Sequence, residues 1–93
     1  MSTRASAIVT IVNRLGLHAR PAMTFVERAM GFDAGVTVRR ADQQEFVDGK
    51  SIMQMMMLAA TQGTPIEIVA EGADAQQAVE ALKALVERKF DEE

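Results

Sequence analysis

Hydrophobic positions along this chain follow two periods, and the switches between them mark out its elements. From Ala5 to Val12 the residues are rich in β-branched types, with Val9 and Ile11 on one face and Ile8, Thr10 and Val12 on the other, which predicts a strand. Asn13 to Gly16 carries turn chemistry. The spacing then becomes helical from about Ala19 to Met30, predicting burial of Ala22, Val26, Ala29 and either Phe25 or Met30. Pro21 suits a first helical turn, where a missing N–H costs nothing, and Gly31 suits the position past the end, with Phe32 folding back as in a Schellman ending. Val36 to Arg39 predicts a strand with Val36 and Val38 inward. A polar turn at Asp42-Gln43-Gln44 and a short return strand over Glu45 to Val47 complete a hairpin.

After the break at Asp48-Gly49-Lys50, Ser51 with Gln54 three residues on forms a capping-box pattern, predicting a helix to about Ala60. That helix is apolar nearly all round, with Ile52, Met53, Met55, Met56, Met57 and Leu58, so a small domain cannot hide all of it. Gly63-Thr64-Pro65 precedes a strand, Ile66 to Glu71, with Ile66, Ile68 and Ala70 inward. Gly72 turns the chain, and Asp74 is placed to cap a last helix whose stripe is Ala78/Val79, Leu82, Leu85/Val86 and Phe90. Three like charges at Asp91-Glu92-Glu93 oppose the helix dipole and predict a frayed end. The order β-α-β-β-α-β-α, with one-sided strands, points to an α+β sandwich whose sheet is covered by helices on one face. No repeat or linker divides residues 1–93, so the expectation is one domain.

Composition narrows the chemistry. A net charge of −3 provides no general basic surface for nucleic acid. With no cysteine there is no disulfide, thiol catalysis or cysteine metal site. No apolar run is long enough to span a bilayer, and Ser2, Thr3, Arg4 and Ser6 interrupt any signal-peptide core, so a cytoplasmic protein without membrane insertion is expected. The single histidine, His18, has too few companion ligands for zinc and no acidic neighbour in sequence for a hydrolase triad.

His18 instead falls at or just before a helix N-terminus, where backbone N–H groups and the positive dipole end favour an anion. Arg20, two residues on, is a cation at an end that disfavours cations, which an anionic partner would explain. Imidazole beside an anion site is what a transient phosphohistidine requires. Ser51 is by default an N-cap, and a phosphate on its hydroxyl would be welcomed by the helix end. The methionines are by default core packing, although methionine also suits surfaces that fit several partners.

Gly16-Leu17-His18-Ala19-Arg20-Pro21-Ala22 resembles the active-site signature of HPr, the histidine-containing phosphocarrier family of the bacterial phosphoenolpyruvate:sugar phosphotransferase system. Gly49-Lys50-Ser51-Ile52-Met53 and Gly63 with the following strand resemble the family's later motifs in the same order, so the resemblance spans roughly Ala5 to Val86. It implies an open-faced sandwich with a four-stranded antiparallel sheet in the order 1-4-2-3 and three helices on one face. It also implies a monomer in which His18 accepts phosphate at Nδ1 (the pros position) from Enzyme I and passes it to Enzyme IIA components, with Arg20 assisting and no cofactor or metal. Ser51 would be a regulatory site for an HPr kinase/phosphorylase. Met23, Ile52, Met53 and Met56 would form the docking face. The readings kept beside this one are a carrier of the nitrogen branch (NPr), a regulatory binding module acting through Ser51, and an independent enzyme. Against the last, no second catalytic group and no G-x-G-x-x-G loop is present.

Overall fold

The computed structural model describes residues 3–91. Alternation sets the sheet. Strands β1 (Arg4–Thr10), β2 (Gly35–Arg40), β3 (Val47–Asp48) and β4 (Pro65–Glu71) form one antiparallel sheet in the order β1-β4-β2-β3. Val9, Val36, Val38, Ile66, Ile68 and Ala70 point into the core, while Ile8, Thr10 and Thr37 face outward. Ile11, just beyond β1, keeps the inward phase and is fully buried. Register runs from Arg4 opposite Glu71 to Thr10 opposite Pro65, and from Gly35 opposite Glu71 to Arg40 opposite Ile66. The sheet therefore has one end holding Thr10, Arg40 and Pro65 and another holding Arg4, Gly35 and Glu71.

Helices α1 (Ala19–Ala29), α2 (Ile52–Met57) and α3 (Ala75–Glu87) cover the inward face, followed by a short turn, Lys89–Asp91. α1 buries Pro21, Ala22, Phe25, Val26 and Ala29, and Met30 is left exposed. α3 buries Ala78, Val79, Leu82, Leu85 and Val86, and Phe90 completes that stripe from the turn beyond the helix. Among the described residues no helix is long and apolar enough to cross a membrane.

Five expectations change. Gly31 lacks the left-handed backbone of a Schellman ending; α1 closes instead through N–H bonds from Gly31 to Arg28 O (3.1 Å) and Phe32 to Ala29 O (3.1 Å). The return strand lies at Val47–Asp48, not Glu45 to Val47. The Arg39 guanidinium donates into the preceding loop at Gln43 O (2.8 Å) and Ala41 O (3.2 Å), and the Gly49 N–H fixes the register on Val36 O (2.8 Å). A side chain at Gly49 would lie 2.6 Å from Val36 Cγ1, so only glycine permits this approach. Helix α2 stops at Met57, because Ala59 takes a left-handed φ of 52°. Half of its capping box forms: Ser51 Oγ accepts from Gln54 N–H (3.2 Å), while Gln54 Oε1 accepts from Asp48 N–H (2.9 Å) and not from Ser51. At the C-terminal end, Asp91 is not frayed; it pairs with Arg88 at 2.9 Å. Glu92 and Glu93 lie outside the described residues.

The fifth change is Asp74. It precedes α3 but makes no side-chain cap bond to it. Its two carboxylate oxygens accept instead from the N–H groups of Asp33 (2.9 Å) and Ala34 (2.8 Å), at the start of β2. Lys50 Nζ donates to Phe32 O (2.8 Å) in the same loop. The Asp33 and Ala34 amides hold the Asp74 carboxyl below the ordinary carboxylate value, the Asp33 bond contributing most. With its folded value depressed, Asp74 adds stability that is complete above the unfolded value and is lost as pH falls through the folded one. Asp74→Ala should therefore lower the melting temperature at neutral pH and flatten its decline from about pH 5 to pH 2. Parallel melting curves of the two proteins across that range check this.

Candidate functional site

The site is built where β1 runs out. The Asn13 side chain is fully buried and donates from Nδ2 to Gly16 O (2.7 Å), while the Gly16 N–H returns to Asn13 O (3.2 Å). This closes the loop on itself. Gly16 adopts φ +70° and presses against the α2–β4 connection, where an added Cβ would lie 2.6 Å from Ala60 O and 2.9 Å from Thr61 Cα. The backbone conformation and the space both demand glycine. The next residue, Leu17, is buried, and its N–H donates to Ala60 O (2.8 Å). Three more bonds join the same two segments: Ile11 N–H to Thr64 O (2.9 Å), Gly63 N–H to Ile11 O (2.7 Å) and Gln62 Nε2 to Val12 O (3.2 Å). The loop from Ile11 to Leu17 thus lies on a bed made by Ala60 to Thr64.

His18 emerges from this seat as the N-cap of α1, in extended backbone (φ −85°, ψ −169°), with no side-chain cap bond. Its own carbonyl accepts the first helical bond, from Ala22 N–H (3.0 Å). The imidazole is half-buried, with Nε2 fully enclosed. The first turn of α1 contains no acidic residue, so the positive end of the helix is not neutralised locally. Helix geometry leaves the Ala19 and Arg20 N–H groups without an intrahelical acceptor, and Pro21 has none to leave. His18, Arg20 and Met23 line one open depression of about 680 Å³ with Leu15 and Ala19. Arg20 is exposed, and among the described residues none accepts from its guanidinium.

Ser51, Ile52, Met53 and Met56 do not line that depression; they sit on α2, which packs beside α1. Ser51 is half-buried at the N-cap. α2 turns Met55 and Leu58 inward and leaves Ile52, Met53, Met56 and Met57 exposed, Met53 at 78 %. Among the described residues no cluster of three or more His, Cys, Asp or Glu side chains is arranged to hold a metal ion. Asn13, Gly16 and Ala60 are the supports that local pattern does not reveal. Asn13 and Gly16 read as ordinary turn residues until the bed beneath them is seen.

With this geometry in hand, comparison with known proteins is direct. A sequence model of the family described as "PTS HPr component phosphorylation site" matches residues 5–88. The chain is 46% identical over 84 residues to the phosphocarrier protein HPr of Pseudomonas aeruginosa, covering 90% of this chain and 92% of that one. It is 40% identical over 85 residues to the phosphocarrier protein NPr of Escherichia coli, covering 91% and 93%. The crystal structure of HPr-C-His from Thermoanaerobacter tengcongensis superimposes with a TM-score of 0.88 at 40% identity, covering 96% of this chain and 98% of that one. Fold and sequence thus define a phosphocarrier. The chain belongs to the HPr family of the phosphotransferase system.

Gly16 gives this site its sharpest structural test. Gly16→Ala combines a left-handed backbone with a clash against Ala60 and Thr61, and should cost about 2–4 kcal/mol. Urea unfolding of the variant would register this as a lower midpoint at an unchanged slope.

Proposed function

We propose that His18 is the phosphoacceptor, taking a phosphoryl group from the phosphohistidine of Enzyme I and passing it to a histidine of an Enzyme IIA component. In each step one N–P bond breaks on the donor imidazole as another forms on the acceptor, and the group is carried without net oxidation or hydrolysis. The observation that carries this reading is the half-buried imidazole at the uncompensated N-terminus of α1, in one depression with Arg20. The attacking atom is Nδ1, as the resemblance to the family implies, and the enclosure of Nε2 supports this. The Ala19 and Arg20 N–H groups and the Arg20 guanidinium stabilise charge on the transferring group, and catalysis here is positioning plus electrostatics. The chain acts as a stoichiometric carrier that is consumed and regenerated, and works as a monomer in the cytoplasm. Relatives named HPr and NPr match at similar identity, so a nitrogen-branch Enzyme IIA is the second acceptor to test.

Met23 on α1 and Ile52, Met53 and Met56 on α2 form the docking face, which fits their exposure on adjacent helices. Ser51, at the N-cap beside Ile52, is the regulatory position, modified by an HPr kinase/phosphorylase. A phosphate there brings about −1.5 to −2 charges at pH 7, tolerated by the helix end but costly to desolvate against a partner.

His18→Ala should fold normally and take no acid-labile phosphate from Enzyme I and phosphoenolpyruvate, as read by intact-mass spectrometry; stoichiometric labile phosphate on it would overturn the assignment. Arg20→Ala should keep its affinity for Enzyme I and slow single-turnover transfer by about ten- to hundredfold, the worth of a charge-assisted hydrogen bond. Separately, Ser51→Asp and Met53→Glu should each weaken calorimetric affinity for Enzyme I by about tenfold or more with melting temperatures little changed. Normal binding by both would move the docking face elsewhere.

A further inference from the structure

The bed beneath the His18 loop is itself held by a side chain from the neighbouring strand. Arg40, the last residue of β2, extends its partly buried guanidinium over the end of α2. Nη1 donates to Ala59 O (3.3 Å), with a longer contact to Leu58 O (3.5 Å). Leu58 is the C-cap of α2 and Ala59 lies just beyond it, where no helical N–H follows to meet their carbonyls, and Arg40 supplies a donor there. Its other nitrogens grip Asp42 as a fork, Nε to Oδ1 (3.1 Å) and Nη2 to Oδ2 (3.2 Å), so the plane of the guanidinium is fixed.

Ala59 is the residue that most needs holding. It is a non-glycine residue in left-handed backbone, a conformation that persists only where the surroundings over-determine it. Its peptide leads directly into Ala60, whose carbonyl accepts from Leu17 N–H at 2.8 Å. A short physical chain therefore runs from Arg40 through the Ala59 carbonyl and the Ala60 carbonyl to Leu17, the residue before His18. The neighbouring Ala41 N–H to Pro65 O bond (2.9 Å) pins the same corner of the sheet.

We propose that Arg40 is a positioning residue for the phosphoacceptor loop. It makes no contact with the phosphoryl group and acts by fixing the direction of the Ala60 carbonyl, and through it the setting of the His18 ring. Its effect on transfer rests on the His18 reading; its effect on the loop does not. Small displacements of a reacting group cost rate without costing affinity, because docking and alignment are separate requirements.

The test uses the full chain with Arg40→Ala and Arg40→Lys. Amide hydrogen exchange of Leu17 is followed beside that of Ile68 in the central strand. In Arg40→Ala, Leu17 exchange should rise about tenfold with Ile68 unchanged, as expected when one local bond loosens. Single-turnover transfer from phospho-Enzyme I at saturation should fall about tenfold at unchanged affinity. Arg40→Lys should recover part of the rate, since an ammonium can reach one carbonyl but cannot fork onto Asp42. Unchanged Leu17 exchange, or a uniform rise at Leu17 and Ile68, overturns the proposal. If Leu17 loosens while His18→Ala still takes labile phosphate, the positioning stands and the phosphoacceptor reading falls.

Discussion

The hydrogen bond from Leu17 N–H to Ala60 O is the contact on which the site depends. It fastens the residue before His18 to a segment more than forty positions away, and the absence of a side chain at Gly16 lets the two backbones come that close. Of the bonds that seat the loop on this bed, it is the one nearest the histidine. The histidine is an N-cap with defined backbone angles, and it lines one depression with Arg20 and Met23. Positioning is most of what phosphoryl transfer asks of a protein, and in this phosphocarrier the seat gives the N-cap of α1 a fixed place.

The sheet serves the seat in two ways. β4 is central, paired with β1 on one side and β2 on the other, and its first residues lie at the end of the sheet where β1 delivers the chain to the His18 loop. The opposite end is fastened separately, by the Asp74 carboxylate on the Asp33 and Ala34 amides and by Gly72 packed on Ala34. The chemical end can therefore carry strained backbone at Ala59 while the far end is closed by charge-assisted bonds. α2 is the thinnest part of this arrangement, with Met55 and Leu58 anchoring it and its remaining apolar side chains left outside.

Much of this was readable from local pattern. The alternation of Val36 and Val38 and of Ile66, Ile68 and Ala70 assigns the inward face correctly, and that of Val9 and Ile11 groups one face correctly, because a strand's period is a local property. His18 before Ala19-Arg20-Pro21 placed the N-cap correctly for the same reason. What pattern could not supply came from distant partners. Asp74 is a reasonable cap by sequence, yet its carboxylate is claimed by amides about forty residues away. Ala59 and Ala60 are good helix formers, and α2 ends before them because the Arg40 guanidinium and the Leu17 amide draw that backbone out of the helix. Asn13 looked like a turn residue, yet its side chain is fully buried and bonds to Gly16 O beneath the loop.

The pairing of β1 with β4 carries a consequence for synthesis. Arg4 meets Glu71 and Thr10 meets Pro65, so the two strands that frame the histidine loop lie more than fifty positions apart in the chain. A nascent chain that has emerged from the ribosome only as far as Met57 already contains His18, Arg20 and the methionines of α2. It lacks Ala60, Thr64 and the whole of β4, and so lacks the surface that gives the histidine its place. Long-range pairing of this kind closes late. The seat of the histidine is therefore completed only after most of the polypeptide is made, and an unfinished chain carries His18 without the backbone that holds it in place.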